Sequence, residues 1–181
     1  MDRDVALGLV DEMIANPNLK KHCLAVEAIM RALARHFDED EHEWGLVGLL
    51  HDADYEVTEK DPDRHMHLIV ERARQEGASE RIAQGILAHG GQAPLDTKLN
   101  ASIYACDHLA GLITAYAILH PKGLAGVATK GTLKRFKEKS FARGASREEI
   151  ITCEENLDIP LADFVTIGIE AMQGISDDLG L

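Results

Sequence analysis

Cysteine is scarce in this chain: Cys23, Cys106 and Cys153 are the whole complement. They are odd in number, far apart and without a Cys-x-x-Cys pair. Neither a disulfide framework nor a thiolate zinc site is expected, and a reducing cytoplasm suits them. Aromatic residues make up only 4% of the chain, and β-branched clusters between turn residues are few. That argues against a sandwich or barrel and leaves aliphatic side chains to fill the core. No apolar run approaches the length of a membrane span. The longest, residues 110–119, is interrupted by Thr114 and Tyr116 and reads as a buried helix of a soluble protein. Residues 1–10 carry Asp2, Arg3 and Asp4 where a targeting signal would be apolar. Positive charge is in deficit too: nineteen Lys and Arg face thirty-one Asp and Glu, for a formal net charge of -12. Such a field repels duplex nucleic acid, although a bound metal or a few local bases can reverse it inside one pocket and admit a small phosphorylated ligand. Neither a Walker loop nor a Rossmann glycine fingerprint is present to hold phosphates.

What the chain does have is length and helical periodicity. Its 181 residues, 45% hydrophobic and 28% charged, suffice for one globular domain with a substantial core and exclude disorder and fibrous repeats. Period-3.6 patterning recurs nearly throughout and predicts an all-α fold without internal repeats or linkers. The first helices are expected over about Asp2 to Ala15, Leu19 to His36 with Asn18 as cap, and Glu41 to the His51-Asp52 pair. An Asp61 cap with Pro62 at the first position opens the next, to Gln75 or Glu76, and a Ser79 cap opens one ending at His89. Then come Leu99 to Leu119, a basic helix near Thr132 to Lys139, one opened by Ser146 with Glu149 in capping-box register, and a last from about Pro160.

Several polar residues fall where this patterning puts a core. His22, Val26, Ile29, Leu33 and Phe37 share one helical face. His51 and Asp52 close the apolar run Val47-Gly48-Leu49-Leu50, Asp107 sits in the apolar segment 103–110, and His89 follows Ile82 and Ile86 on one face. Buried carboxylates are costly unless a cation or strong hydrogen bonds compensate, and a divalent metal would solve that problem. Imidazole nitrogens and carboxylate oxygens without thiolates suit one or two ions of manganese, iron, zinc or cobalt.

The ordered set His22, His51-Asp52, Asp107 on helices resembles the HD-domain metal-dependent phosphohydrolases. The resemblance spans about residues 18–119, with 120–181 as a C-terminal helical extension of a single domain. Residues 51–56 also resemble a poorly characterised subgroup carrying His-Asp-x-Asp-Tyr-Glu. An all-α HD-domain helical bundle is therefore implied. Members with two ions carry two further histidines before the distal Asp, and the candidates here are His65 or His67, followed by His89. On a helix only one of His65 and His67 can point inward. His65 shares its face with Leu68, Ile69 and Ala73, whereas His67 shares its own with Val70, Glu71 and Arg74, so His65 is preferred. The implied metal set is His22, His51, Asp52, His65, His89 and Asp107, with Asp52 bridging two ions whose shared water attacks phosphorus in line. Asp54 or Glu56 either acts as general base, or orients that water, or is a turn or capping residue. The Gly-Lys that follows His-Asp in some signalling-nucleotide hydrolases is absent, as is the Gly-Tyr-Pro of cyclic-di-GMP phosphodiesterases.

Residues 130–147 reverse the chain's acidity. Lys130, Lys134 and Lys137 keep one helical face opposite Leu133 and Phe136. They are either a solvated amphipathic face or part of a segment that folds back to grip substrate phosphates. The expected activity is hydrolysis of a phosphate ester or anhydride of a nucleotide or small phosphorylated metabolite, with neither duplex nucleic acid nor membrane as partner. Self-association is left open. Two rivals stand beside it: a non-catalytic module that senses a nucleotide or binds a protein around a closed metal site, and an HD-type di-iron oxygenase. His36, His42, His108 and His120 read as structural or exposed.

Overall fold

The computed structural model describes residues 1–59, 61 and 64–181. In order along the chain these form α1 (Arg3–Met13), α2 (Pro17–Phe37), α3 (Glu41–Leu50), α4 (His67–Gln75), α5 (Glu80–His89) and α6 (Lys98–Leu119). After a 3-10 turn at Gly123–Gly126 come α7 (Thr129–Lys137), α8 (Arg147–Ile150), α9 (Thr152–Leu157), α10 (Leu161–Gln173) and α11 (Ser176–Leu179). No strand occurs among the described residues, so the all-α expectation holds.

Side-chain caps start most of the longer helices. Asp2, Asn16, Asp40, Ser79 and Thr97 each accept a backbone N–H from the first turn of α1, α2, α3, α5 and α6. The α2 start differs from the expected Asn18 cap. Pro17 takes the first helical position, where its missing N–H is no loss, and the cap moves back to Asn16. The basic helix α7 likewise lies three residues earlier at its start than expected. The largest correction concerns α4, which begins at His67 rather than near Asp61. Residues 64–66 form a turn, and Met66, with φ 72°, takes a left-handed conformation that no α-helix can run through. The expected Pro62 start lies outside the described residues.

Helix α6 runs through the bundle, against α2 and α5 on one side and α8 and α9 on another. By length and composition it could cross a membrane, but half of its apolar window is buried among the other helices, the position of a core helix. Cys23, Cys106 and Cys153 are all free and buried.

The contact that sets up the site is α2 on α3. A Cβ at Gly48 would lie 2.8 Å from the Glu27 Cα and 2.9 Å from the Val26 carbonyl carbon, so only glycine allows the helices this near approach. One turn before Val26 on α2 is His22, and one turn after Gly48 is His51, so the same approach brings the two imidazoles together. Glu27, 4% exposed, is fully partnered at this interface: Arg3 bonds both of its oxygens at 2.6 and 2.8 Å and Arg31 Nε donates at 2.9 Å. Gly48→Ala is expected to push α3 off α2, lowering stability by about 1–3 kcal/mol and separating His22 from His51. Chemical denaturation and metal content measure the two effects.

Candidate metal centre

Six side chains from separate parts of the fold converge. His22 comes from α2, His51 and Asp52 from just past the end of α3, His65 from the turn before α4, His89 from the last residue of α5, and Asp107 from α6. They fall into two triads, His22/His51/Asp107 and Asp52/His65/His89. In the first, His51 Nε2 lies 3.3 Å from His22 Nε2 and 3.6 Å from Asp107 Oδ1, while His22 Nε2 is 2.8 Å from that oxygen. In the second, the Nε2 atoms of His65 and His89 are 3.2 Å apart and lie 3.3 and 3.4 Å from Asp52 Oδ1. The other Asp52 oxygen, Oδ2, faces the first triad, 3.6 Å from His51 and 3.9 Å from His22. Ligand atoms held about 2.0–2.2 Å from one ion are roughly 3.0–3.5 Å apart, so most of these spacings fit ligation.

The rings are aimed by what lies behind them. His51 Nδ1 donates to the Gly48 carbonyl at 2.8 Å and His89 Nδ1 to the Ile86 carbonyl at 2.6 Å. A carbonyl only accepts, so these bonds assign the proton to Nδ1 and leave Nε2 for the site. His65 Nδ1 is 2.7 Å from Asp54 Oδ1. Asp54 is fully buried and also accepts the Met66 and Ile69 N–H groups, each at 3.0 Å. Both its oxygens are engaged behind His65, so it positions the ring and caps α4, and the general-base reading of Asp54 gives way to the capping one. Glu56 is likewise away from the centre. It accepts the Ala15 and Asn16 N–H groups at 2.6 and 3.1 Å, closing the α1–α2 turn. His67, the alternative to His65, is exposed.

The two kinds of ligand shift each other's protonation. Burial disfavours charge on His51, but Asp52 and Asp107 outweigh it and push its pKa up to about 9. His65 reaches about 9 in the same way, burial being outweighed by Asp52 and Asp54. Burial would raise Asp52 and Asp107, yet the imidazoles beside them hold both well below the usual carboxylate range. In the metal-free protein a proton therefore sits where an ion would. Ion binding must expel it, so apparent metal affinity is expected to climb about tenfold per pH unit for each proton displaced, until pH nears 9. The stability sign is opposite. Folded-state values above the ordinary 6.5 mean that the His–Asp pairing contributes fully below about pH 6.5 and is lost as pH rises through 9. Thermal melts in chelator should fall over that window, while metal-loaded protein holds steady.

A cavity of about 680 Å³ opens onto His22, Asp52, His65, His89 and Asp107. Its wall also carries Tyr104, His108 and Glu149, with His108 Nε2 3.2 Å from Glu149 Oε2. His108, expected to be structural or exposed, is half-buried and lines the cavity while pairing with Glu149. Tyr104, His108 and Gly111 recur at helical spacing beside Asp107, a signal readable once Asp107 is taken as a ligand. The remaining cover is the loop after α7, through Ala142, Gly144 and Ala145. One side chain fastens that loop: the Arg147 guanidinium donates to the carbonyls of Arg135, Phe136, Phe141, Ala142 and Ala145. The segment after α7 does fold back over the centre, but by its small residues. Lys130, Lys134 and Lys137 are exposed, and no Lys or Arg among the described residues lines the cavity. Lys134→Ala is accordingly expected to leave hydrolysis kinetics unchanged in a steady-state assay.

The HD domain family matches residues 19–112, just over half of the chain, and all six converging side chains fall inside the match. The chain belongs to the HD domain family, which places it in a superfamily of metal-dependent phosphohydrolases. No curated protein and no solved structure matches it.

Proposed function

We propose that this protein is a metal-dependent hydrolase of a phosphate ester or anhydride, acting on a nucleotide or a small phosphorylated metabolite. The observation that carries this reading is Asp52, whose two oxygens face two triads of nitrogen and oxygen donors at the base of an open cavity. The donor set, imidazole and carboxylate without thiolate, fits two divalent ions such as manganese, iron, zinc or cobalt. Bound there, such ions lower the pKa of a water and neutralise charge developing on phosphoryl oxygens. The chain's residues supply the rest. Asp54 and the Gly48 and Ile86 carbonyls fix the imidazoles. Tyr104 and His108, on the same helix as Asp107, present hydrogen-bonding groups to the cavity. With no Lys or Arg lining this space among the described residues, a phosphoryl group would owe its charge balance to the ions. A metal site that served only to hold helices together would be closed, whereas here the cavity opens onto the ligands, which favours a reactive centre. The free buried thiols support a reducing, cytoplasmic setting.

The test is metal content in protein purified without chelator, followed by phosphate release from a panel of phosphomonoesters, phosphodiesters and nucleotides. Near two ions per chain with metal-dependent release is the expected result. No ion after reconstitution overturns the reading, and oxygen consumption without phosphate release turns it toward the di-iron oxygenase.

A further inference from the structure

Past Gly111 the cavity over the metal ligands continues into a second groove of about 460 Å³. His22 and Gly111 line both spaces. Beyond them the groove runs between Asn18 and Lys21 of α2, Thr114, Ala115 and Ile118 of α6, and the segment 179–181. Along α6, Asp107, Gly111, Thr114 and Ile118 follow at steps of four, three and four, so one helical face carries both a metal ligand and the groove's floor. From Asp107 to Ile118 that face rises about 16 Å, far more than a phosphoryl group needs. At its end Ile118 is 68% exposed, a large apolar side chain left uncovered by the rest of the chain.

Gly111 has no internal reason to be glycine. It stands within the 22-residue α6 without a positive φ, and a Cβ there would meet no atom within 4 Å. Alanine would serve the helix better. Gly144, in the covering loop, is the same: no positive φ, nothing within 4 Å, and a place on the cavity wall. Gly48, by contrast, is required by a neighbouring backbone.

We propose that Gly111 is a specificity-determining residue: it leaves open the passage by which the apolar organic part of a phosphorylated substrate runs from the metal centre into the groove ending at Ile118. This rests on the phosphohydrolase reading and adds the substrate class, a phosphate ester with an uncharged aryl or aliphatic group. Ala115 and Ile118 supply apolar contact for that group, and the Thr114 hydroxyl and Asn18 amide offer hydrogen bonds at its edge.

The experiment measures binding to manganese-reconstituted protein of two probes that are not turned over, inorganic phosphate and 1-naphthylmethylphosphonate. Wild type is expected to bind the naphthyl probe at least about tenfold more tightly than phosphate, because the ring leaves water in the groove. Gly111→Val should bring the ratio of the two affinities down to about one, phosphate serving as the control for any change at the metals. Gly111→Ala should raise Tm by about 2–4 °C and still reduce the advantage, a pairing that a purely structural glycine would not give. Ile118→Ser, remote from the ligands, should reduce it as well and decides the matter if valine disturbs the metals. An unchanged ratio of the two affinities in these variants overturns the proposal. Failure of phosphate to bind metal-loaded wild type overturns the phosphohydrolase reading, and this subsite with it.

Discussion

Asp52→Ala is expected to weaken both metal positions at once and to lower phosphoester hydrolysis by more than about 10³-fold. The reason is geometric. Asp52 Oδ1 lies 3.3 and 3.4 Å from the imidazoles of His65 and His89, and Oδ2 lies 3.6 Å from that of His51. Asp52 thus completes one triad with Oδ1 and turns Oδ2 to the other. His22→Ala or His65→Ala, each confined to one triad, should instead leave one position able to hold an ion. Metal analysis of the three variants, with phosphate release beside it, separates these outcomes. An Asp52→Ala protein that retained two ions per chain and full turnover would remove the basis for the assignment.

Asp54→Ala should be the most damaging change outside the ligands. It would strip the partner from the half-buried His65 Nδ1–H and from the buried Met66 and Ile69 N–H groups. Leaving such groups unpaired costs about 3–5 kcal/mol, a fall in Tm of roughly 10 °C or more. With His65 free to turn, affinity at the Asp52/His65/His89 position should drop about 10–100-fold while the His22/His51/Asp107 position is spared. Asp54→Asn keeps the shape but offers one acceptor oxygen in place of two, so it can pair either His65 and Met66 or Ile69 and should recover only part of the stability. It also discriminates between roles. A general base replaced by asparagine would leave both metals bound and abolish turnover, whereas a positioning residue loses one metal first.

The helices were legible because aliphatic residues recur at helical period and because capping side chains mark the starts. The converging ligands were legible for a related reason: His22, His51, Asp52, His89 and Asp107 are polar residues set in apolar runs. His65 is a different case. It was preferred over His67 on a helical-face argument, yet it stands in the turn before α4. What turns it inward is a bond to Asp54, eleven residues earlier, which no local period encodes. Glu56 illustrates the same limit, since its partners lie some forty residues away on the α1–α2 turn. Glu149 was visible only in capping-box register. The Ser146 hydroxyl does accept the Glu149 N–H, but the Glu149 carboxylate goes to His108 on the cavity wall. The lysines of α7 follow ordinary solvation: three cations spaced along one face of a short amphipathic helix stay in water.

Arg147 touches the covering loop through main-chain carbonyls, five of them, from Arg135 to Ala145. Carbonyls are the same whatever residue bears them, so the shape of this cover is nearly independent of the side chains it carries. Mutation can alter loop side chains such as Lys139 or Arg143 without unfastening it. On the proposed hydrolase reading, selectivity can therefore drift in this loop while the ligand-bearing bundle beneath stays fixed, provided that the arginine is kept.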